Sequence, residues 1–290
     1  MSWIEEVWPK KKPRQAHDAR PVPDGLWDKC AACGKRVFSE SFEKSWKVCA
    51  HCGHHHRLDA KSRLLQLNQG AYYTLIGEEV KTKDYLNFKD KKPYKQRLVE
   101  AQKKSGLSES ILCARTKLAS TEVVVAIFSF DFIGGSMGSV LGERFVRACE
   151  YATKHNLPFV CVTSSGGARM QEGVIALFQM AKTSMAVAKF KLTKNPFITI
   201  LADPTSGGVA ASMAMQADII IAERGALIGF TGPRVIAQTL REDLPQGFQR
   251  ADFQLKNGAV DMVVARKDMP KKLTSLLSKL TYKHATEESL

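Results

Sequence analysis

The sequence lacks an apolar segment long enough to cross a bilayer, and its longest apolar run is Val123 to Phe128. Its first residues, MSWIEEVWPKKK, contain two glutamates and no apolar stretch of signal-peptide length. We therefore expect no membrane association, no export and a reducing, cytoplasmic location. In that compartment, seven cysteines are more typical of metal ligands or buried thiols than of disulfides.

Signatures of several enzyme classes are also missing. No GxGxxG opens a βαβ unit and no GxxxxGK[ST] occurs, which disfavours dinucleotide-binding and P-loop proteins. His155 stands near the end of a predicted helix, where we expect it to cap the helix or face solvent. Ser164 and Ser165 precede a glycine pair, but no histidine–acid partner is evident for them, which argues against a serine hydrolase.

Acidic residues are scarce relative to basic ones in the first third of the chain. Residues 1–104 hold 22 lysines and arginines against 13 aspartates and glutamates, which gives them +9 of the total charge of +14. A basic segment attracts nucleic acid, the phosphates of a nucleotide-bearing cofactor or an acidic protein. A solvated basic surface is an equally good explanation, and the composition leaves these alternatives open.

Four cysteines form the strongest local motif in the sequence. Cys30-x2-Cys33 and Cys49-x2-Cys52 are separated by fifteen residues, the spacing of a four-thiolate zinc ribbon. Four protein ligands complete a tetrahedron, so we predict one structural Zn²⁺ per chain and no catalytic role for it. Such a metal contributes on the order of 10 kcal/mol to the folding of a small segment.

The other cysteines and the nearby histidines are given different roles. Cys113, Cys149 and Cys161 lie in apolar patterns and are predicted to be core residues. Because the four cysteines already complete the ligand set, we expect His54 to His56 to form a solvated basic face.

The composition divides the chain into three segments. We predict a charged, proline-bearing arm at 1–25 with a short docking helix near Trp3 to Trp8, the zinc ribbon at 26–56, and a large third domain at 57–290. Within this domain, residues 58–118 have a polar pattern that is helical in parts.

After Thr121, the pattern alternates between strands and helices, which predicts an α/β fold with mostly buried strands. A longer helix carries five apolar residues at helical spacing. The predicted strands are 122–130, 158–163, 197–202, 218–222 and 226–230, the predicted helices include 143–155, and the five residues are Val174, Leu177, Ala181, Met185 and Ala188.

Two of the predicted strands each run into a double glycine and then a helix. The segments are FVCVTSSGGARMQEG at 159–173 and FITILADPTSGGVAAS at 197–212, and a third glycine turn is DFIGGSMGS after residue 130. Ligands in such folds collect at the carboxyl ends of the strands, where all three turns fall. Free N–H groups at a helix start stabilise negative charge, so the turns suit a reaction that forms an enolate oxyanion. The alternative is that they are ordinary βα turns, in which glycine is common.

Several segments together resemble one family, the β subunits of bacterial acetyl-CoA carboxylase carboxyltransferase, within the crotonase-like superfamily. The resemblance spans nearly the whole chain, and it is specific because related carboxyltransferases share the glycine turns but lack the zinc ribbon. The matching segments are MSWIE, the four cysteines, GGSMGSVLGERFVRA (134–148), SGGARMQEG (165–173), DPTSGGVAAS (203–212) and ALIGFTGPRVIAQTLREDLPQGFQR (226–250).

The resemblance implies a crotonase-like ββα superhelix with an N-terminal zinc ribbon, and a third domain that is the carboxyltransferase. It implies transfer of a carboxyl group from carboxybiotin to acetyl-CoA, which gives malonyl-CoA for fatty acid synthesis. By analogy, the amides of Gly207 and Gly208, with those of Gly167 and Ala168, hold the thioester oxygen as the enolate forms. The residues implied to line the CoA channel are Gly134, Gly135, Gly166 and Arg169.

The resemblance also implies partners. In the family a carboxyltransferase α subunit supplies the biotin side of the site in an α2β2 heterotetramer, and the carboxybiotin arrives on the biotin carboxyl carrier protein. Biotin carboxylase belongs to the same ATP-dependent holoenzyme. The proton is thought to leave to biotin itself, which agrees with the lack of a side-chain base.

Two other classes of function stay open from the residues alone. One is another crotonase-like enzyme, such as a decarboxylase or hydratase of acyl-CoA. The other is a zinc-ribbon nucleic-acid-binding protein, which the ribbon and the basic first third support but which leaves the glycine turns unexplained. Nucleic-acid binding is also compatible with catalysis.

Overall fold

The computed structural model describes residues 26–281. The predicted arm at 1–25 lies outside the described residues, as do residues 282–290. None of the helices in the described range combines the length and the apolar character that crossing a bilayer requires.

The described chain folds into ten strands and nine α-helices, and strands alternate with helices between residues 121 and 223. The strands are β1 (Trp27–Lys29), β2 (Arg36–Phe38), β3 (Tyr73–Leu75), β4 (Ile111–Leu118), β5 (Thr121–Phe128), β6 (Phe159–Ser165), β7 (Phe197–Ser206), β8 (Ile219–Glu223), β9 (Ile228–Gly229) and β10 (Met262–Val264). The α-helices are α1 (Ser39–Lys44), α2 (Ala60–Asn68), α3 (Tyr94–Ser105), α4 (Ser139–Lys154), α5 (Val174–Lys191), α6 (Gly207–Ser212), α7 (Pro233–Leu240), α8 (Ala251–Lys256) and α9 (Met269–Leu280).

One sheet organises everything after the ribbon. Its strands follow the order β10-β8-β7-β6-β5-β4-β3, and β9 pairs with the end of β7. Strands β5 to β8 and β10 are parallel, whereas β3 and β4 pair antiparallel. The apolar run Val123 to Phe128 is buried because helices cover both faces of the sheet.

The two faces of the sheet form separate apolar layers. Leu64 of α2 and Leu273 of α9 pack on one face, and Phe145 of α4 and Phe190 of α5 pack on the other. A Cβ on Gly142 would overlap the Gln179 side chain, so this glycine lets α4 and α5 pack closely. The predicted α/β fold with buried strands is confirmed, and Cys113, Cys149 and Cys161 are buried in it as predicted.

One sequence-based expectation needs correction, and the structure also shows which side of one predicted helix is buried. The segment 58–118, expected to be polar and helical in parts, also contains β4, whose eight residues pair along their whole length with β5. The helix predicted around Val174 to Ala188 is present as α5, but its five regularly spaced apolar residues lie on the solvent side. The buried stripe of α5 instead includes Gln179, Thr183 and Phe190.

A buried ion cluster attaches the ribbon to the sheet. Arg63 Nη2 donates to both carboxylate oxygens of Glu223 at 2.9 Å, and Arg266 Nε donates to Glu223 Oε1 at 2.7 Å. Arg266 Nη1 also donates to the carbonyl oxygen of Trp46, in the ribbon, at 2.5 Å. Burial alone would raise the pKa of Glu223, but the charges of Arg63 and Arg266 outweigh it and lower the pKa to about 2.

His55 lies at the same junction and corrects the expectation of a solvated histidine face. Its side chain is buried, and its Nδ1 lies 3.8 Å from Glu223. Burial is the main cause that lowers the pKa of His55 to about 4; the charge of Glu223 opposes this shift, and the charges of Arg266, Arg63 and Arg224 add to it. His56 is also not free in solvent, because its Nε2 lies 3.3 Å from Cys30 Sγ.

Candidate active site

The three glycine turns follow β5, β6 and β7, which are neighbouring strands of the sheet, and the turns meet at the carboxyl ends of these strands. In strand order, the turn after β5 (Gly134–Gly135) is the first turn, the turn after β6 (Gly166–Gly167) the second and the turn after β7 (Gly207–Gly208) the third. The Gly166 N–H donates to the carbonyl oxygen of Gly134 at 3.0 Å, which joins the first turn to the second. A Cβ on Gly207 would lie only 2.9 Å from the Cα of Gly167, so the second and third turns are in backbone contact. The parallel strand order thus assembles glycines that are far apart in sequence.

Gly167 and Gly207 must be glycines for this contact to form. Their φ angles are +113° and +60°, in the region that side-chain-bearing residues rarely adopt. A Cβ on Gly167 would also lie 3.2 Å from the Cα of Gly207. Any side chain at either position would push the two turns apart.

Most amides of the two contacting turns already have acceptors. Gly207 N–H donates to the Phe230 carbonyl at 2.9 Å, and Gly167 N–H donates to Ser165 Oγ at 3.0 Å. The N–H groups of Ala168 and Gly208 have no acceptor within residues 26–281. Gly208 is the second residue of α6, where an amide has no acceptor within the helix.

These two amides are therefore available as donors to a ligand. A Cβ on Gly167 would lie 3.4 Å from the Gly208 nitrogen, so the free amide of α6 stands against the turn that carries the other one. Of the four residues predicted to supply oxyanion amides, Ala168 and Gly208 have free donors. Gly167 and Gly207 instead have the backbone shape that brings those donors together.

The first turn contributes open backbone. No atom lies within 4 Å of a Cβ placed on Gly134, and the nearest atom to one on Gly166 is the Gly134 carbonyl oxygen at 3.8 Å. Gly135 differs, because its Cβ would overlap the carbonyl oxygen of Ser164. Gly134 and Gly166 therefore leave room for a ligand to approach the backbone, whereas Gly135 packs against β6.

Arg169 does not line a channel, which corrects the expectation for its side chain. The guanidinium is fully buried, at 0% relative exposure, and it forms ion pairs with Glu109 and Glu172. Its Nη1 donates to Tyr94 Oη at 3.0 Å. Burial alone would lower the pKa of Arg169, but the charge and hydrogen bond of Glu109, with the charges of Tyr94 and Glu172, together outweigh it and raise the pKa. The buried Arg169 side chain therefore anchors the second glycine turn to the protein interior.

Sequence reasoning missed the partners of Arg169. Glu172 Oε2 accepts a hydrogen bond from the Ser139 amide at 2.6 Å, so the network also holds the start of α4. Tyr94 Oη donates to Glu172 Oε1 at 2.6 Å. No motif points to Tyr94 or Glu109, whereas Glu172 stands inside the glycine-turn segment and was available as a signal.

No serine–histidine pair occurs at the turns within the described chain. Ser164 Oγ donates to the Asp203 carbonyl oxygen at 3.0 Å. Residues 134–138 match G-x-S-x-G, the sequence motif of the serine-hydrolase nucleophile elbow. However, Arg169 Nε donates to Ser136 Oγ at 3.2 Å, and no histidine of the described residues contacts that hydroxyl. His155 is exposed after α4, as expected, and stacks on Tyr151. Backbone amides are thus the groups this site offers.

The four ribbon cysteines converge on one point. All four Sγ atoms lie within 4.8 Å of one another, with Cys30 to Cys52 at 3.7 Å and Cys33 to Cys49 at 3.9 Å. Sulfurs at the corners of a tetrahedron around Zn²⁺, each about 2.3 Å from the metal, are about 3.8 Å apart. The cluster therefore has the geometry to hold a tetrahedral metal ion such as zinc.

An apolar surface lies beside the glycine turns. Met170 follows the second turn and is 65% exposed, and the solvent side of α5 continues this surface from there. Single exposed apolar residues are ordinary, but a contiguous group marks an interaction surface. The large exposed apolar residues of α5 are Val174, Leu177, Phe178 and Met185.

Solved structures of carboxyltransferases and a decarboxylase share this fold. Transcarboxylase 12S, a hexamer solved with methylmalonyl-CoA, is 25% identical, with a TM-score of 0.63 over 82% of this chain and 42% of its own. The hetero-dimer of Pseudomonas malonate decarboxylase is 21% identical, with a TM-score of 0.59 over 77% of this chain and 86% of its own. The β subunit of Pseudomonas aeruginosa geranyl-CoA carboxylase is 17% identical, with a TM-score of 0.60 over 82% of this chain and 40% of its own.

The chain therefore spans less than half the length of the transcarboxylase subunit, and the two less similar structures support the fold alone. The carboxyl transferase domain family matches residues 80–288, which cover all three glycine turns and most of the chain. Together with the crotonase-like α/β fold, this match shows that the chain belongs to the carboxyl transferase domain family.

Proposed function

We propose that this chain is the β-type subunit of an acetyl-CoA carboxylase carboxyltransferase, which moves a carboxyl group from carboxybiotin to acetyl-CoA and so makes malonyl-CoA for fatty acid synthesis. The observation that carries the proposal is the pair of free amides at Ala168 and Gly208, at the point where two glycine turns touch. The four-cysteine ribbon favours this member of the family, because the four-cysteine spacing is one of the segments that resemble the acetyl-CoA carboxylase β subunits.

The free amides fit the charge that develops in the reaction. When a proton leaves C2 of acetyl-CoA, negative charge moves onto the thioester oxygen, and preorganised N–H donors stabilise that enolate. Carboxybiotin would supply both the carboxyl group and the base: its C–N bond would break first, the freed biotin nitrogen would take the C2 proton, and the C2 enolate would then form its new bond to the released carboxyl carbon. This chain's part is to hold the oxyanion and to admit the acyl-CoA past Gly134 and Gly166.

The division of the site between two proteins has its own support. The described residues offer oxyanion donors at the turns, whereas the carboxylates of Glu109 and Glu172 there are buried in ion pairs with Arg169. The exposed apolar face of α5 begins next to the second turn. We infer that a carboxyltransferase α subunit covers this face and supplies the biotin side in an α2β2 assembly. The carrier protein and biotin carboxylase complete the ATP-dependent holoenzyme.

Structural zinc and location belong to the same proposal. We assign one Zn²⁺ to Cys30, Cys33, Cys49 and Cys52, where it ties together a ribbon whose own apolar core consists of four residues, two of them ligands. Thiolates persist as metal ligands in reducing compartments, and on this ground we propose a cytoplasmic location.

The decisive experiment mixes the purified chain with an α subunit and measures carboxylation of a free biotin derivative with malonyl-CoA as the donor. We expect activity from the mixture and none from either protein alone. Malonyl-CoA turnover by this chain alone, or turnover without biotin, would assign it to another class of crotonase-like enzyme. Methylmalonyl-CoA as an alternative donor tests whether this chain shares the acyl preference implied by the ligand of transcarboxylase 12S.

A matched pair of surface variants tests the docking face. Leu177→Asp places a charge in the exposed apolar face of α5, whereas Leu192→Asp places the same charge just past its end, at a residue that is 83% exposed. Burying an unpaired carboxylate at an interface is costly, so Leu177→Asp should weaken assembly with the α subunit. Equal affinity of both variants in a sedimentation assay would exclude this face.

A further inference from the structure

A cavity of about 330 Å³ lies near the antiparallel edge of the sheet, between α2, β3, β4 and α4. None of the residues that line it belongs to the glycine turns at Gly134, Gly167 or Gly207. Its polar lining is mainly basic, with Arg144 on its inner side and Lys61 and Lys81 exposed to solvent. Glu78 is the acidic residue among the lining side chains.

Arg144 is the feature that needs an explanation. Its residue is only 3% exposed, and its guanidinium donates to the carbonyl oxygens of Glu78, Val80 and Ile111 and to Ser108 Oγ. It forms no ion pair with a carboxylate anywhere in residues 26–281, and its Nε has no hydrogen-bond partner there. The other deeply buried arginines of the described chain, at 63, 169 and 266, each pair with a glutamate.

A buried charge without a counterion is unfavourable, because transfer from water is not offset by neutral acceptors alone. In this cavity an external anion can provide the missing charge. Lys61 and Lys81 stand on the same cavity, and a Cβ on Gly106 would lie 3.8 Å from Lys61 Nζ, which puts that ammonium at the rim. Three cations against Glu78 leave a formal excess of two positive charges along the lining.

We propose that this cavity is a binding site for a small dianionic oxyanion, such as inorganic phosphate or a phosphomonoester. The two ammonium groups would be its donors, and charge-assisted bonds of this kind are among the strongest that side chains form. The Arg144 guanidinium, whose Nη1 and Nη2 are held by neutral acceptors and whose Nε is buried, would add an uncompensated positive charge beside the cavity. The excess of two positive charges matches a dianion better than a monocarboxylate. The site is separate from the carboxyl-transfer chemistry and does not depend on it.

The cavity also touches the loop that supports the glycine turns. Ser108 accepts from Arg144 Nη2 at 2.8 Å, and the next residues along the chain, Glu109 and Ser110, both bind Arg169. An anion bound beside Arg144 would therefore lie next to Ser108, and Ser108 directly precedes the residues that bind Arg169 beneath the candidate active site.

The test measures inorganic phosphate binding to the full chain by isothermal titration at constant ionic strength, with chloride as the balancing anion. We expect one saturable site, and in the double variant Lys61→Ala/Lys81→Ala a dissociation constant at least about tenfold higher. Both lysines are exposed, so this variant is expected to fold. Lys154→Ala/Lys189→Ala makes the same charge change in the groove between α4 and α5 and should bind like the wild type.

Three results would overturn the proposal. The first is the absence of saturable phosphate binding, and the second is equal weakening in both double variants, which would show general charge attraction. The third is displacement of phosphate by CoA but not by dephospho-CoA, which would make the cavity part of the acyl-CoA site. Arg144→Gln serves as a second variant, and loss of binding in a folded Arg144→Gln protein supports the role of the buried guanidinium.

Discussion

The ribbon and the sheet domain form their sites from different groups: the ribbon uses side chains, whereas the sheet domain uses the backbone. In the ribbon, four side chains converge, and the apolar core consists of Cys30, Val37, Phe42 and Cys49. In the sheet domain the candidate site consists of backbone, and what matters at Gly167 and Gly207 is the absence of a side chain. A segment too small to bury a core needs a metal, whereas a large domain can hold backbone donors rigidly.

Removing the metal should produce the largest effect and should fall on the ribbon alone. With Cys30→Ser, one of four ligands is lost, and structural zinc contributes on the order of 10 kcal/mol to the folding of such a segment. We expect zinc content near zero, rapid proteolysis within residues 26–56, and an intact sheet domain by circular dichroism. Cys161→Ser, in the buried sheet, is the control that should keep its zinc. Protein purified without chelators that contains no metal would contradict the assignment.

The junction between the two regions gives the next largest effect. Glu223→Gln removes the carboxylate that Arg63 and Arg266 share, and breaking a buried ion pair typically costs about 3–5 kcal/mol. The free energy of unfolding in urea should fall by that amount, while zinc content stays normal because no ligand changes. Glu122→Gln removes an ion pair with Arg115 at half-exposed positions and should change stability by less than about 1 kcal/mol. Equal effects in both variants would mean that the junction does not stabilise the fold.

Interference with the backbone donors should affect turnover more than stability. A Cβ on Gly208 would lie 3.0 Å from the Met180 sulfur, a flexible contact, so Gly208→Val is expected to fold. Its branched side chain stands next to the free amide, and loss of one oxyanion donor typically lowers turnover roughly 10²- to 10³-fold. The measurement is kcat for malonyl-CoA-dependent biotin carboxylation in the reconstituted complex.

Two controls accompany Gly208→Val. Gly232→Val adds the same side chain at a glycine with no atom within 4 Å of its Cβ position, and Ser164→Ala removes a hydroxyl that donates to a carbonyl. Both should retain turnover near that of the wild type. Near-normal turnover in Gly208→Val together with inactive Ser164→Ala would replace the amide mechanism with one centred on serine.

The same contrast explains how much the sequence could predict. The cysteine spacing and the glycine pairs are short-range sequence signals, so the metal cluster and the three turns could be predicted from them. The alternating pattern after Thr121 predicted the sheet. The buried partners Tyr94 and Glu109 were not readable, because they meet Arg169 from positions 75 and 60 residues away. Arg169 itself was misplaced for the same reason, since a sequence pattern does not show which side of a turn is buried.

The smallest expected effect is a pH dependence at the junction, and its sign follows from His55. Burial lowers the pKa of His55 from 6.5 to about 4, so between these values the unfolded chain binds a proton that the folded chain does not. The stability that His55 contributes is fully present above pH 6.5 and is lost as the pH falls toward 4. Glu223, whose pKa is lowered to about 2, stays ionised in the folded protein throughout this window.

Zinc thiolates also bind protons in acid, so the wild-type slope alone does not identify His55. The comparison that does is His55→Asn against His155→Asn, with unfolding free energies measured in urea from pH 7 to pH 5. Both variants keep all four cysteines, so the metal contributes equally to each. We expect His155→Asn, at an exposed position, to retain the wild-type slope and His55→Asn to show a shallower one. Parallel slopes in the two variants would show that His55 titrates as freely as a solvent-exposed histidine and that the ribbon does not bury it against the sheet.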